Sequence, residues 1–258
     1  MKTGYAAVNG LNLYWESHGQ GEPLILLHGG FQSTSSCSKV IDALSKSRNI
    51  IAVDLQAHGR TADIERPMRY QSMADDIAAL IQVLGFSSAD VMGYSLGAGV
   101  ALWTAIRHPG SVRKLVVVSI PFRQDGWYPD VVAGMKRMSG MVDRLKETPI
   151  YTNYVAIAPK PHQFPALIKK VSELVSTEFD WSNEVAAMKT PAMLVFADAD
   201  IVRPSHMAQF YELLGGGKKD PGWDGSDMPT ARLAILPGLT HYSLFSSALL
   251  AACVETFL

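Results

Sequence analysis

Apolar and polar positions alternate over Tyr5–Val8 and Leu11–Trp15, with Asn9-Gly10 between them. That pattern predicts a β-hairpin closed by a tight turn. Beyond Gly19, Gly21 and Pro23 the pattern changes to short runs: Leu24–Leu27, Ile50–Val53, Asp90–Met92, Leu115–Ser119, Met193–Phe196 and Leu233–Leu236. Short, nearly unbroken apolar runs predict strands buried on both faces. Between them the spacing turns helical. Met73, Ile77, Leu80, Ile81 and Leu84 recur at three- and four-residue intervals and end at Gly85. Val100–Ile106 is stopped by His108-Pro109-Gly110, and His206–Leu214 is closed by three glycines. Strands alternating with helices predict the α/β class: a mainly parallel central sheet flanked by helices.

The rhythm breaks between Pro121 and Lys189, where helical spacing near Asp130–Leu145, Pro165–Ser176 and Trp181–Met188 occurs without a core strand. Prolines 149, 159, 161 and 165 punctuate it. The expected organisation is a core of residues 1–120 and 190–258 with a helical cap, 121–189, inserted between two strands. The loop from Gly215 to Gly225 is longer than an αβ connection needs and is expected to be a surface loop ordered by Trp223.

At 258 residues and 48 % hydrophobic, the chain can bury a large core. A net charge of −1 gives no steering towards nucleic acid or an anionic membrane. No run of 18 apolar residues is present, and the first twenty residues lack the apolar stretch of a secretion signal, so the expected address is the cytoplasm. Cys37 and Cys253 are expected to be buried free thiols. No metal-ligating pattern stands out, and no cofactor is expected.

The chemistry is concentrated at Gly93-Tyr94-Ser95-Leu96-Gly97, which fits G-x-S-x-G with an apolar strand before it and a small-residue helix after it. A turn sharp enough to lift a hydroxyl above a sheet forces the serine to positive φ. It also brings its flanks so close that glycine or alanine is needed two residues to each side. The helix that starts there aims free N–H groups at the hydroxyl. With His28-Gly29-Gly30 after one strand and Asp54-Leu55-Gln56-Ala57-His58-Gly59-Arg60-Thr61 after the next, the chain resembles the α/β-hydrolase superfamily of esterases, lipases and C–C bond hydrolases. Gln56, Ala57 and Thr61 depart from the family's pattern in a loop that serves architecture.

A serine hydroxyl needs a base within hydrogen-bond reach, and the resemblance implies the chain order Ser, acid, His. His241, in the loop after the last strand, is then the base, with Ser95 the nucleophile. The family's spacing maps the acid onto Asp200 in Phe196-Ala197-Asp198-Ala199-Asp200, with Asp198 and Asp125 as rivals. It places the oxyanion-hole donors at the backbone N–H of Leu96 and of Gly30, with Phe31 as the alternative second donor. Phe31, Tyr94 and Leu96 flank these groups, while Phe122 and Trp127 would line the pocket from the cap. An aromatic and Met-rich cap suggests a mostly apolar small-molecule substrate. The expected reaction is carboxylic ester hydrolysis through an acyl-enzyme. C–C, lactone or peracid chemistry, or a ligand-binding receptor, are the alternatives. The expected assembly is a monomer or homodimer.

Overall fold

The computed structural model describes residues 1–258. The strands are β1 (Lys2–Val8), β2 (Leu11–His18), β3 (Pro23–Leu27), β4 (Asn49–Val53), β5 (Ala89–Tyr94), β6 (Val112–Val118), β7 (Ala192–Ala199) and β8 (Arg232–Thr240). They form one sheet in the order β1-β2-β4-β3-β5-β6-β7-β8. The β1–β2 hairpin pairs antiparallel to its neighbours and every pair from β4 to β8 is parallel. At the hairpin turn Asn9 and Gly10 both take positive φ, as such a turn requires.

The helices are α1 (Ser38–Leu44), α2 (Tyr70–Val83), α3 (Leu96–Arg107), α4 (Pro129–Arg137), α5 (Val142–Leu145), α6 (Pro149–Ile157), α7 (Phe164–Ser176), α8 (Ser182–Ala187), α9 (Pro204–Leu213), α10 (His241–Leu244) and α11 (Ala248–Glu255). The apolar runs are buried on both faces because alternate residues feed two cores. Ile25 and Leu27 join the larger core with α2 and α3, while Leu24 and Leu26 join the smaller one with α1 and α11. Each such side chain contributes about 1.5–3 kcal/mol by leaving water. Asp90, buried at the start of β5, is the exception to the apolar run. Its carboxylate is held by Arg48 at 2.7 Å and Arg113 at 2.9 Å, since a buried charge must be paired.

The only regular elements between β6 and β7 are helices, and isolated bridges join Arg123 to Asp180 and Trp127 to Val202. The helix expected near Asp130–Leu145 is broken into α4 and α5 by the turn Met138–Met141, where Ser139-Gly140 weakens helical continuity. The proline-punctuated stretch also forms a helix that spacing alone does not reveal. Pro149 opens α6 at the first helical position, where its missing N–H costs nothing. One expectation is overturned: Trp223 is fully exposed, so it orders nothing in its loop. Both cysteines are free, with Cys37 buried and Cys253 only half-buried. No helix is long and apolar enough to cross a membrane.

The order of strands decides where chemistry can occur. β3 and β5 are adjacent, but the chain winds outward from them in opposite directions, to β4 on one side and β6 on the other. Loops at the C-terminal ends of β3 and β5 therefore diverge and leave a crevice, where ligands bind in open α/β sheets.

Candidate active site

Ser95 stands at φ 53° and ψ −117° in that crevice, between β5 and α3. Its neighbours explain why the turn holds this strain, on the order of 1–3 kcal/mol. A Cβ on Gly93 would lie 2.0 Å from the Gly97 carbonyl oxygen, and one on Gly97 would lie 2.4 Å from that of His28. Strand, turn and helix therefore touch through bare backbone. The Ser95 N–H is tied to the Val118 carbonyl at 2.8 Å, locking the turn to β6. Leu96 opens α3, so its amide has no intrahelical acceptor. Gly30 lies alongside: a Cβ there would be 3.7 Å from the Leu96 side chain. Phe31 follows with φ 62°.

His241 and Asp200 arrive from β8 and β7. His241 Nδ1 is 3.2 Å from Asp200 Oδ1. The imidazole is held by its backbone as well as its ring. Thr240 and Ser243 cap α10 reciprocally, and the Tyr94 hydroxyl donates to the His241 carbonyl at 2.6 Å. Asp198 accepts from the N–H groups of Gly238 and Leu239 at 2.9 and 3.1 Å, which pins the loop leading to His241. Asp200 accepts from the backbone N–H groups of Ala197, Ile201 and Val202. Burial opposes its charge, but His241 and the surrounding donors outweigh burial and hold it below the ordinary carboxylate range.

Ser119 was read from sequence only as the end of a strand, and the structure gives it a second place. Its hydroxyl donates to Asp200 Oδ1 at 2.6 Å and lies 2.6 Å from His241 Nδ1. It is buried, with φ 59°. In the sequence Ser119 shows only as a polar residue closing an apolar run, and no local pattern marks its role.

Ser95, Leu96, Gly30, Phe31, Trp127 and His241 line one cavity of about 460 Å³, together with Tyr70, Met135, Met138, Val171, Val175 and Ile201. Ser95 and His241 thus face the same space. Two expected pocket residues do not. Tyr94 is buried beneath His241, stacked on Phe245 at 4.7 Å, because the strand residue next to Ser95 points to the opposite side of the sheet. Phe122 is buried against His206, with ring centroids 4.0 Å apart.

The remaining candidates are accounted for elsewhere. His28 accepts from the Leu55 N–H, and His58 packs against it at 5.1 Å; burial lowers them to about 4 and about 3. Buried His206 accepts from the Phe122 N–H and is likewise lowered to about 4. Asp125 is exposed and paired with Arg123 at 2.7 Å, not with His241.

Residues 22–211 match the family described by the α/β hydrolase fold. Among curated proteins, a putative carbamate hydrolase of Azorhizobium caulinodans is 25 % identical, aligned over 97 % of this chain and 98 % of its own length. A soluble epoxide hydrolase of a Corynebacterium species is 34 % identical, over 45 % of this chain and 40 % of that protein. A 2-hydroxymuconate semialdehyde hydrolase of a Pseudomonas species is also 34 % identical, over 42 % and 40 %. Among solved structures, the enol-lactonase of Burkholderia xenovorans superposes with a TM-score of 0.71 at 19 % identity, covering 98 % of both chains. An α/β hydrolase from a deep-sea metagenome gives 0.76 at 18 %, covering 98 % of this chain and 96 % of the other. With a fold-defining sheet, a family match across most of its length and hydrolases as its relatives, this chain belongs to the α/β-hydrolase fold family.

Proposed function

We propose that this protein is a serine hydrolase that cleaves a carboxylic ester through an acyl-enzyme on Ser95. The observation that carries the reading is the strained serine at the start of α3, facing a cavity it shares with the carboxylate-backed His241. In the proposed reaction Ser95 Oγ bonds to the ester carbonyl carbon while its proton passes to His241 Nε2. The backbone N–H groups of Gly30 and Leu96 stabilise the oxyanion, each worth about 3 kcal/mol. The C–O bond breaks, the alcohol leaves with the proton held by His241, and water activated by the same imidazole releases the acid and restores Ser95. Asp200 holds the imidazole tautomer and stabilises its cationic form. The apolar walls suit an apolar acyl group.

The test is intact-mass labelling with a fluorophosphonate, followed by turnover of p-nitrophenyl esters of rising acyl length. One adduct on Ser95 with turnover of short or medium chains is expected. An adduct without ester turnover would move the reaction to C–C, lactone or peracid substrates, or to a receptor role; no adduct would remove Ser95 as the nucleophile. The near full-length similarity to a putative carbamate hydrolase favours a second reading, cleavage of a carbamate C–N bond by the same groups. Release of ammonia from an alkyl carbamate faster than release of alcohol from the matched alkyl ester would favour it.

Ser119 serves in this scheme as a positioning residue. Glycine accepts φ 59° without strain, so Ser119→Gly deletes the hydroxyl while leaving the backbone at ease. The expected result is a roughly tenfold fall in kcat with KM little changed, the size expected for losing a hydrogen bond to a charged group. A raised KM at normal kcat would instead make Ser119 part of the cavity wall.

A further inference from the structure

A buried O–H or N–H without a partner forfeits its hydrogen bonds to water, a cost that an apolar ring of similar shape avoids. Seven buried side-chain polar atoms in this chain have no partner in the protein, and two of them lie beside the chemistry. They are the Tyr70 hydroxyl and Trp127 Nε1, both on residues that line the Ser95 cavity. Tyr70 is 5 % exposed and Trp127 3 %. Packing fixes both rings. Tyr70 opens α2 and lies against α3 one helical turn past Ser95, where a Cβ on Gly99 would stand 2.4 Å from the ring. It also meets Trp181 edge to face, with centroids 5.1 Å apart. Trp127 is bridged to Val202 and stands edge to face with Phe179 at 5.4 Å. Neither ring can turn towards a protein partner without giving up these contacts. Phenylalanine would pack in either place with no stranded polar atom, so packing alone does not account for the hydroxyl or the indole N–H.

We propose that Tyr70 and Trp127 set the specificity of the Ser95 cavity: the acyl group it takes carries a neutral oxygen acceptor, a carbonyl or ether oxygen, that receives their hydrogen bonds. The inference rests on the ester-hydrolase reading above and narrows it. An indole N–H donates and does not accept, so the group that meets Trp127 is an acceptor. Burial raises the pKa of the Tyr70 phenol, which therefore keeps its proton and donates as well. The acceptor is neutral because no lysine or arginine lines the cavity, whereas Asp130 does. A carboxylate would lose its hydration there and gain a like charge as neighbour. The rest of the wall, including Met135, Val171 and Val175, suits the hydrocarbon of the same acyl arm. A plain alkyl chain fills the space but leaves both donors unpaired, and that difference lets the site tell the two apart.

The test compares p-nitrophenyl heptanoate with its 4-oxo, 5-oxo and 6-oxo counterparts, which share its chain length and its reacting ester. The ratio of kcat/KM for each oxo ester over heptanoate is measured in wild type, Tyr70→Phe, Trp127→Phe and the double variant, so that intrinsic reactivity cancels between proteins. Wild type is expected to favour one oxo ester roughly tenfold, each single variant to lose part of that preference and the double variant nearly all of it. No oxo preference at any position in wild type, or one undiminished in the double variant, would overturn the proposal. Tyr70→Phe is also expected to hold or raise the Tm, since it removes an unpartnered hydroxyl. A fall of several degrees would give that hydroxyl a structural role inside the protein and take it out of substrate selection. N-methylamides of the same four acids, titrated by ligand-observed NMR, report recognition without ester cleavage. Fluorophosphonate labelling of Ser95 and ester turnover without an oxo preference would remove the oxygen recognition alone. An oxo preference among the amides without labelling would remove the nucleophile and leave the recognition in place.

Discussion

Ser95→Ala is expected to lower kcat by about 10⁴- to 10⁶-fold and to abolish fluorophosphonate labelling. The size follows from what remains. Alanine keeps the Gly30 and Leu96 amides and the cavity, so substrate binding and oxyanion stabilisation persist, but no covalent path exists. Groups that act as a unit lose nearly everything when one is removed. His241 and Asp200 would still be paired at 3.2 Å, with no hydroxyl to activate. Folding should be unaffected: residue 95 stays at φ 53° with a Cβ already present, so alanine adds no clash. The comparison needs single-turnover kinetics on a p-nitrophenyl ester beside a thermal melt. Turnover within tenfold of wild type, with the melt unchanged, would mean that another group carries the chemistry.

Gly93→Ala is expected to destabilise the fold by about 3 kcal/mol or more, a fall in Tm of roughly 6–12 °C for a chain of this size. Its Cβ would stand 2.0 Å from the Gly97 carbonyl oxygen, 2.4 Å from its carbon and 2.7 Å from the Ala98 nitrogen. All three are backbone atoms of the first turn of α3, so no rotamer change relieves the clash. Nor can the strand retreat, since β5 is hydrogen-bonded to β3 on one side and β6 on the other. Gly110→Ala is the control. Nothing lies within 4 Å of a Cβ there, and a change within about 0.5 kcal/mol is expected. Equal melts for the two variants would show that the serine turn is looser than its contacts imply.

The serine turn and the clash at Gly93 have one origin. A hydroxyl can be raised above a parallel sheet only if strand and helix meet through glycine on both sides, and the resulting positive φ is held by packing rather than by the residue's own preference. Ser119 extends this logic. It too sits at positive φ at the end of a buried strand, and its hydroxyl lands between the carboxylate and the imidazole. Asp198 acts one step further out, holding the backbone that leads to His241. The two neighbouring carboxylates therefore divide their work by environment: Asp200 is buried and meets the ring, whereas Asp198 is exposed and meets the loop.

The sequence by itself determined the fold class and the turn that bears Ser95. Period-two alternation, short apolar runs and glycine punctuation are local consequences of burial and backbone sterics, so they are written residue by residue along the chain. His206 could be set apart from His241 by its lack of a strand-end context, and His28 and His58 by the structural turns they belong to. Tertiary structure alone decided which side chains share a space. Tyr94 and Phe122 looked as suitable for a pocket as Phe31 and Trp127, yet one lies beneath the site and the other is sealed against His206. Trp223 looked like a loop anchor and touches solvent on every side. Ser119 gave no pattern to read, because its partners stand 81 and 122 residues away and meet it only when β6, β7 and β8 lie side by side. Periodicity records which face of an element is buried; what that face is buried against depends on pairings between distant strands, which no local pattern encodes.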